Sequence, residues 1–422
     1  MTPQTCIYCD SPGPFSDEHL FPAGLGGDNA RFLLKNLVCI ECNEVRFSKM
    51  EASFMRSSPN AFARVLLQEH SRRRGSKVSK PRMDTKMTTV VLEDGTVAEA
   101  EIHAKGQPNM LMQFLLHRNG DVGFTGGASG KPKAFLEKAR AIFSTEKIDS
   151  VRKIATNGSN TYSIESYLWD GNSYIPSGRH TGDSPPRSCV WVEPLKDNRE
   201  SANHASPRLF QKSTGQLVLR AAQEDDVGSL LSQARRAAFA ATLPDTLNYQ
   251  DSPNPVVQTS LSINLDHYRR TYAKIAMNFL IYIFEEDYAR HHAFSRVKSG
   301  IVHGSPMVVI SQQEKDAFSH VPSDRHIVAI CSAKAKAGRY AVMAFIRLYG
   351  GLTTTVLLSR NAPKPVTTTP LFMLVDYNSH EIEIVGLEGF SERYKRTDFS
   401  EEFKAETTMN FIRTNWPDAL PK

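Results

Sequence analysis

The sequence predicts an α+β protein with a small metal-stapled unit at its N-terminus, a mixed α/β middle and a C-terminal helix with an antiparallel sheet. Three observations carry that expectation. Two CxxC pairs, Cys6/Cys9 and Cys39/Cys42, lie 33 residues apart, close enough to close one small unit. The runs Thr88 to Leu92 and Val97 to Ile102, joined through Asp94-Gly95, read as a hairpin, because Asp-Gly supplies the positive φ of a tight turn. Near the end of the chain, one long amphipathic helical pattern precedes five strand-like runs.

The cysteines come first. Each CxxC turn presents two sulfurs to one ion, and two such turns complete tetrahedral coordination, so Cys6, Cys9, Cys39 and Cys42 form a closed, structural Zn²⁺ site. The remaining two, Cys189 and Cys331, sit in apolar surroundings and read as buried thiols, a usage that fits a reducing cytoplasm. Pro12-Gly13-Pro14 ends the first zinc turn, and a short strand carries Glu18-His19-Leu20-Phe21 to Pro22. Gly24 to Gly27 lets the chain reverse, and Phe32 to Val38 returns as a second strand delivering Cys39. From Glu41 the pattern turns helical, with Phe47, Met50 and Phe54 on one face, until Ser57-Ser58-Pro59 stops it.

Glu18-His19-x2-Pro22, Leu25-Gly26-Gly27, Asn36-Leu37-Val38 and Cys39-x2-Cys42-Asn43 occur in that order, between and around the thiols. Residues 1–58 thereby resemble an HNH endonuclease domain. The resemblance implies a ββα-metal core, two short strands and a helix around one divalent ion, with the four-cysteine zinc as an added staple. It implies His19 as the general base that activates water, Glu18 and Asn43 as oxygen ligands to a catalytic Mg²⁺ or Mn²⁺, and Asn36 as the structural Asn that turns His19 toward the phosphate, with Asn29 as its alternate. Arg46 stands where the family often places a basic residue. Glu18 replaces the commoner Asp, and Asn43 the His that gives the motif its name. Adjacent residues on a regular strand face opposite ways, so Glu18 and His19 can approach one phosphate only if the strand is twisted or ending there.

Residues 59–85 read as a short helix followed by a basic linker. Arg72, Arg73, Arg74 and Lys77 fall in this linker, where they add to a local excess of twelve Lys and Arg over eight Asp and Glu in residues 1–82, as phosphate binding requires. Residues 86–255 form the mixed α/β region, with helical patterns at Pro132 to Phe143 and Gly228 to Ala240, strands at Tyr162 to Trp169, Cys189 to Val192 and Gln216 to Leu219, and a loop-rich stretch from Asp170 to Ser206. Residues 256–422 form the last region. Tyr268, Tyr272, Ile275, Ala276, Phe279, Leu280 and Ile283 mark its buried helix, and a meander of antiparallel strands packs on it. His267, His303 and His326 read as ordinary polar positions, and His291-His292 as the polar end of a helix.

A chain of 422 residues holds about two or three domains, and 40% hydrophobic with 23% charged residues is ordinary for a folded globular protein. The longest apolar run, Ile275 to Phe284, is too short to span a bilayer and contains Asn278, and no basic-then-apolar leader pattern opens the chain. Two function classes stay open. One is a DNA endonuclease, with a regulatory ligand or partner protein acting on the C-terminal region as in a prokaryotic restriction or antiviral effector. The other is a non-catalytic zinc-stapled module that recognises nucleic acid or protein, which would need none of Glu18, His19 and Asn43.

Overall fold

A computed structural model describes residues 4–27, 30–74, 77–85, 87–103, 106–128, 130–155, 160–195, 206–243, 256–284, 286–312, 318–366 and 369–394. Helix and strand are present in similar amounts, 30% and 36%, and the sheets are antiparallel or mixed, so the protein is α+β. It divides into two compact units. One joins residues 1–84 and 104–106 to residues 261–422, and the other comprises residues 85–103 and 107–260.

In the first unit, β1 (Phe15–His19) and β2 (Leu33–Cys39) form an antiparallel hairpin. Its register slips between Ser16↔Val38 and Glu18↔Leu34, so Asp17 alone faces residues 35–37. Asn36 absorbs the extra length in the left-handed region, at φ 56°, a conformation Asn tolerates better than most residues. A π-helical turn, Glu41–Phe47, leads into α1 (Ser48–Arg56), and α2 (Pro59–Leu67) follows with Pro at its first position, where a missing N–H costs nothing. The stretch expected as a solvated basic linker is instead a small hairpin, β3 (Arg72–Arg74) paired with β4 (Lys77–Ser79).

The helix Leu265–Ile283 begins at Asn264, whose side chain accepts from the His267 N–H at 3.0 Å. It lies against a six-stranded antiparallel sheet in the order Ile310–Gln312, Thr354–Ala362, Tyr340–Arg347, Arg325–Lys334, Leu371–Asp376, Glu381–Gly386. The expected meander breaks once. Leu371–Asp376 does not continue beside Thr354–Ala362 but crosses to the far side of Arg325–Lys334. Both faces of the sheet are covered, which explains its near-continuous apolar runs. Val328, Ile330, Val342 and Ala344 join the core of the helix, while Ile327, Ala329, Met343 and Phe345 pack with Phe318 and Phe390.

The core of that helix also contains Cys6, Tyr8, Phe21, Phe47, Met50 and Phe54. Residues 1–58 are therefore not a separate module, as the motif spacing suggests, but one side of a core completed by residues beyond 260. The Gly-rich loop shows how closely the two are fitted. Gly26, at φ 99°, lies so near the strand end that a Cβ there would stand 2.4 Å from Cα of Tyr377. Buried His326 holds the same loop. Its Nε2 donates to the Leu25 carbonyl at 3.0 Å, while its Nδ1 accepts from the Tyr349 N–H at 3.1 Å, a neutral tautomer with both nitrogens used.

The second unit is a mixed eight-stranded sheet with the helices Pro132–Phe143 and Val227–Ala240 on one face. The expected 88–92/97–102 hairpin is present as Met87–Val91 and Val97–Ile102, within a four-stranded sheet that also takes Val256–Ser260. Val256–Ser260 thus belongs to this unit, which moves the boundary expected at residue 255 to 260. Buried Glu99 binds Nε of Arg208 at 2.7 Å and Nε of Arg220 at 2.6 Å. Part of the stretch expected to be loop-rich is the edge strand Tyr174–Gly182, whose Pro176 and Gly178 disguise it in the sequence but are tolerated at a sheet edge.

Candidate functional site

The four thiols meet as the spacing requires. The Sγ atoms of Cys6, Cys9, Cys39 and Cys42 all lie within 4.8 Å of one another, and those of Cys9 and Cys39 are 3.6 Å apart. A tetrahedral ion with bonds of about 2.3 Å to sulfur separates its ligands by about 3.8 Å, so the four can hold one metal ion. Backbone N–H groups already point at the sulfurs, Cys39 N to Cys6 Sγ and Cys42 N to Cys39 Sγ at 3.4 Å each, which stabilises thiolate charge. Of the other two thiols, Cys331 is buried as expected and burial pushes it up to about 12, whereas Cys189 is only half-buried.

The slip in β1 bears on the geometric objection raised by the sequence. The strand is irregular at Ser16 to Glu18, and Glu18 turns into the core at 2% exposure while Asp17 is exposed and His19 half-buried. The sequence assigned the Glu18 carboxylate to a divalent ion. Here its cation is the ammonium of Lys274, itself 1% exposed, which also contacts Oε1 of Glu51. Asn278, one helical turn on, donates from Nδ2 to Glu18 Oε1 at 3.0 Å and to the His19 carbonyl at 2.9 Å, and its Oδ1 accepts from the Tyr8 hydroxyl at 2.5 Å. Phe47, one turn after Asn43, places its ring 5.2 Å from Lys274 Nζ.

Burial sets the electrostatics of this cluster. It raises the Glu18 carboxyl to about 7, even though Lys274 pulls the other way. Burial also works against the charge on Lys274, but Glu18 and Glu51 outweigh it and hold the ammonium above its ordinary value. Burial and the nearby Glu18 keep the Tyr8 phenol protonated, as its role as donor to Asn278 requires.

Asn43 is brought to the same strand. Its Nδ2 donates to Ser16 Oγ and to the Asp17 carbonyl, 3.0 Å each, and the carbonyl fixes which amide atom is which, since only the nitrogen can donate to it. Asn36 acts otherwise than expected. Its side chain is exposed, and it shapes the hairpin through its backbone, whose carbonyl accepts from Gln4 Nε2 at 2.5 Å. The alternate, Asn29, lies outside the described residues. Arg46 is engaged, with Nε 3.1 Å from Glu41 Oε1 and Nη1 donating to His303 Nδ1 at 3.0 Å. The backbone of Arg72, Arg73, Arg74 and Lys77 forms the β3–β4 hairpin, and what their side chains reach lies outside the described residues.

Lys274, Glu51 and Tyr8 were not singled out by sequence reasoning. The available signal was a polar stripe. Lys274 and Asn278 stand at i and i+4 on a helix otherwise built of Tyr272, Ile275, Ala276 and Phe279, and a cation at a fully buried helical position needs an acidic partner.

The chain matches no protein-family model, no curated protein and no solved structure. Among the described residues, no helix is long and apolar enough to cross a membrane.

Proposed function

We propose that this chain is a metal-dependent HNH-type endonuclease that hydrolyses DNA phosphodiester bonds. The observation that carries the reading is the tie from Asn43 Nδ2 to Ser16 and Asp17, which brings the first residues of the post-hairpin helix onto the strand that ends in His19. A zinc staple alone requires neither residue.

In this proposal the four thiolates hold a structural Zn²⁺ and His19 accepts the proton of the attacking water. With Glu18 committed to Lys274, the ligand left of the expected pair is Asn43 through its Oδ1, and an ion held by so few protein oxygens keeps several waters, which suits Mg²⁺ or Mn²⁺. When bound, that ion supplies charge stabilisation for the phosphate and the leaving 3′ oxygen. Glu18, Lys274 and Asn278 are positioning residues that fix the strand carrying His19. The β3–β4 hairpin, with Arg72, Arg73, Arg74 and Lys77, grips backbone phosphates, and Arg46 can do so only by leaving Glu41 and His303. Toxic DNA cleavage needs restraint, and a prokaryotic restriction or antiviral role fits such an enzyme.

The second reading, a zinc-stapled recognition module without catalysis, is favoured by one observation, the loss of the Glu18 carboxylate to Lys274. Purified protein incubated with supercoiled plasmid, with and without Mg²⁺ or Mn²⁺, separates the two. Nicking that requires the added ion supports the nuclease, and binding without nicking supports the module.

A further inference from the structure

The helix Ser295–His303 packs against the π-helical turn Glu41–Phe47, which carries Cys42. Its Val297, Ile301 and Val302 share one core cluster with Cys6, Cys39 and Cys42, and His303 at its end accepts from Arg46 of that turn. Between those apolar positions stands Lys298, only 6% exposed. A lysine so deeply placed needs an anion. Burial works against its charge, Asp10 and Cys6 favour it, and Arg290 opposes it. Asp10 is exposed, so water screens its carboxylate, whereas Cys6, Cys39 and Cys42 are buried and Cys9 is partly so. Four thiolates around one Zn²⁺ bring two negative charges more than the ion neutralises, and in a buried site that excess is costly unless a cation stands near.

We propose that Lys298 is the charge partner of the four-cysteine site, its ammonium offsetting the excess negative charge of the thiolates when they hold a metal ion. The inference rests on reading Cys6, Cys9, Cys39 and Cys42 as Zn²⁺ ligands, and it adds the helix Ser295–His303 to the residues on which metal binding depends. Arg290 serves the same site through the backbone. It donates from Nη1 to Thr5 Oγ1 at 3.2 Å and from Nη2 to the Thr5 carbonyl at 2.6 Å, which fixes the residue before Cys6. Its own charge is shared with Glu286, Nε to Oε1 at 2.6 Å. The shape of the site and its charge are thus set by different residues.

The zinc affinity of the full chain, measured by competition with a chromophoric chelator, tests the proposal. Lys298→Met keeps an apolar stem and removes the charge. It is expected to weaken Zn²⁺ binding by about 10- to 100-fold, the usual cost of losing a group that supports metal ligands. Lys298→Gln provides a second uncharged variant with the same expected loss. Lys298→Arg keeps the charge and should retain most of the parental affinity, a rescue that a merely space-filling role would not give. Asp10→Asn, at a φ of 60° that Asn adopts readily, should not weaken Zn²⁺. Unchanged affinity in both uncharged variants, an equal loss in Lys298→Arg, or a loss in Asp10→Asn matching that of Lys298→Met would overturn the proposal. A parent chain that takes up no Zn²⁺ would remove the metal reading itself, and this inference with it.

Discussion

Asn278 donates from its Nδ2 to the backbone carbonyl of His19 at 2.9 Å, across 259 residues of sequence. The same nitrogen reaches the Glu18 carboxylate, so a single amide on the buried helix sets both residues of the Glu-His pair. The motif at the start of the chain is thus held in place by a helix that follows it by about 250 residues, and the following expectations come from that dependence.

Removing the cation should damage the fold more than removing the whole pair. Lys274→Met leaves Glu18 buried without its ammonium and is expected to cost about 3–5 kcal/mol, whereas Lys274→Met with Glu18→Gln should recover a good part of that. Thermal melts of the two single variants and the double variant measure the coupling. Simple additivity of the two losses would mean that the pair is not coupled.

The pH dependence follows from the burial of Glu18. Its carboxyl rises from 4.5 to about 7 in the folded state, so between those values the folded protein holds more protons than the unfolded chain. The contribution of this group is present below about 4.5 and is lost as pH rises through about 7. Glu18→Gln should flatten the stability profile in that window when denaturant midpoints are compared from pH 4.5 to 7. An identical slope in the variant would show that Glu18 does not titrate there.

His326 works in the opposite sense. Burial lowers it to about 3, so the unfolded chain takes up a proton that the folded one refuses, and its stabilisation, full above the usual 6.5, fades as pH falls toward 3. His326→Phe removes that acid sensitivity and leaves the Leu25 carbonyl and the Tyr349 N–H without their partner. A loss of about 2–4 kcal/mol at neutral pH is expected. A variant as stable as the parent at pH 7, with the same acid limb, would argue against this role.

The shared core changes what loss of one of the four clustered thiols should do. Because Cys39 and Cys42 pack in one cluster with Ile275, Phe279 and Val342, Cys39→Ser should loosen residues 4–84 together with the helix Leu265–Ile283, while the unit of residues 107–260 stays protected. Hydrogen exchange read peptide by peptide distinguishes this from the collapse of an isolated N-terminal module, in which Leu265–Ile283 would remain protected.

These dependences also show where the sequence was informative. The CxxC spacing, the Asp94-Gly95 turn and the apolar face of the Leu265–Ile283 helix are local patterns, and local patterns carry their own geometry. The thiol cluster, the hairpin and the helix formed accordingly. The partnership of residues 1–84 with residues 261–394 is a long-range fact that no local period encodes, and so the motif read as an independent domain. Glu18 was misassigned for the same reason, since its Lys274 partner lies far along the chain. Strands such as Lys147–Ala155, with Lys153 and Arg152 along it, and the Pro- and Gly-bearing Tyr174–Gly182 were missed because their exposed, polar positions hide the alternation.

The most direct measurement is plasmid cleavage by His19→Ala beside the parent protein in Mg²⁺ or Mn²⁺. His19 is not one of the four clustered thiols, so zinc content, folding and DNA affinity should be nearly unchanged. Loss of general-base catalysis should lower cleavage by about 10² to 10⁴, enough to leave the plasmid supercoiled. Cleavage at the parental rate by a folded, zinc-loaded His19→Ala protein would contradict the HNH mechanism and leave the non-catalytic recognition module as the better description.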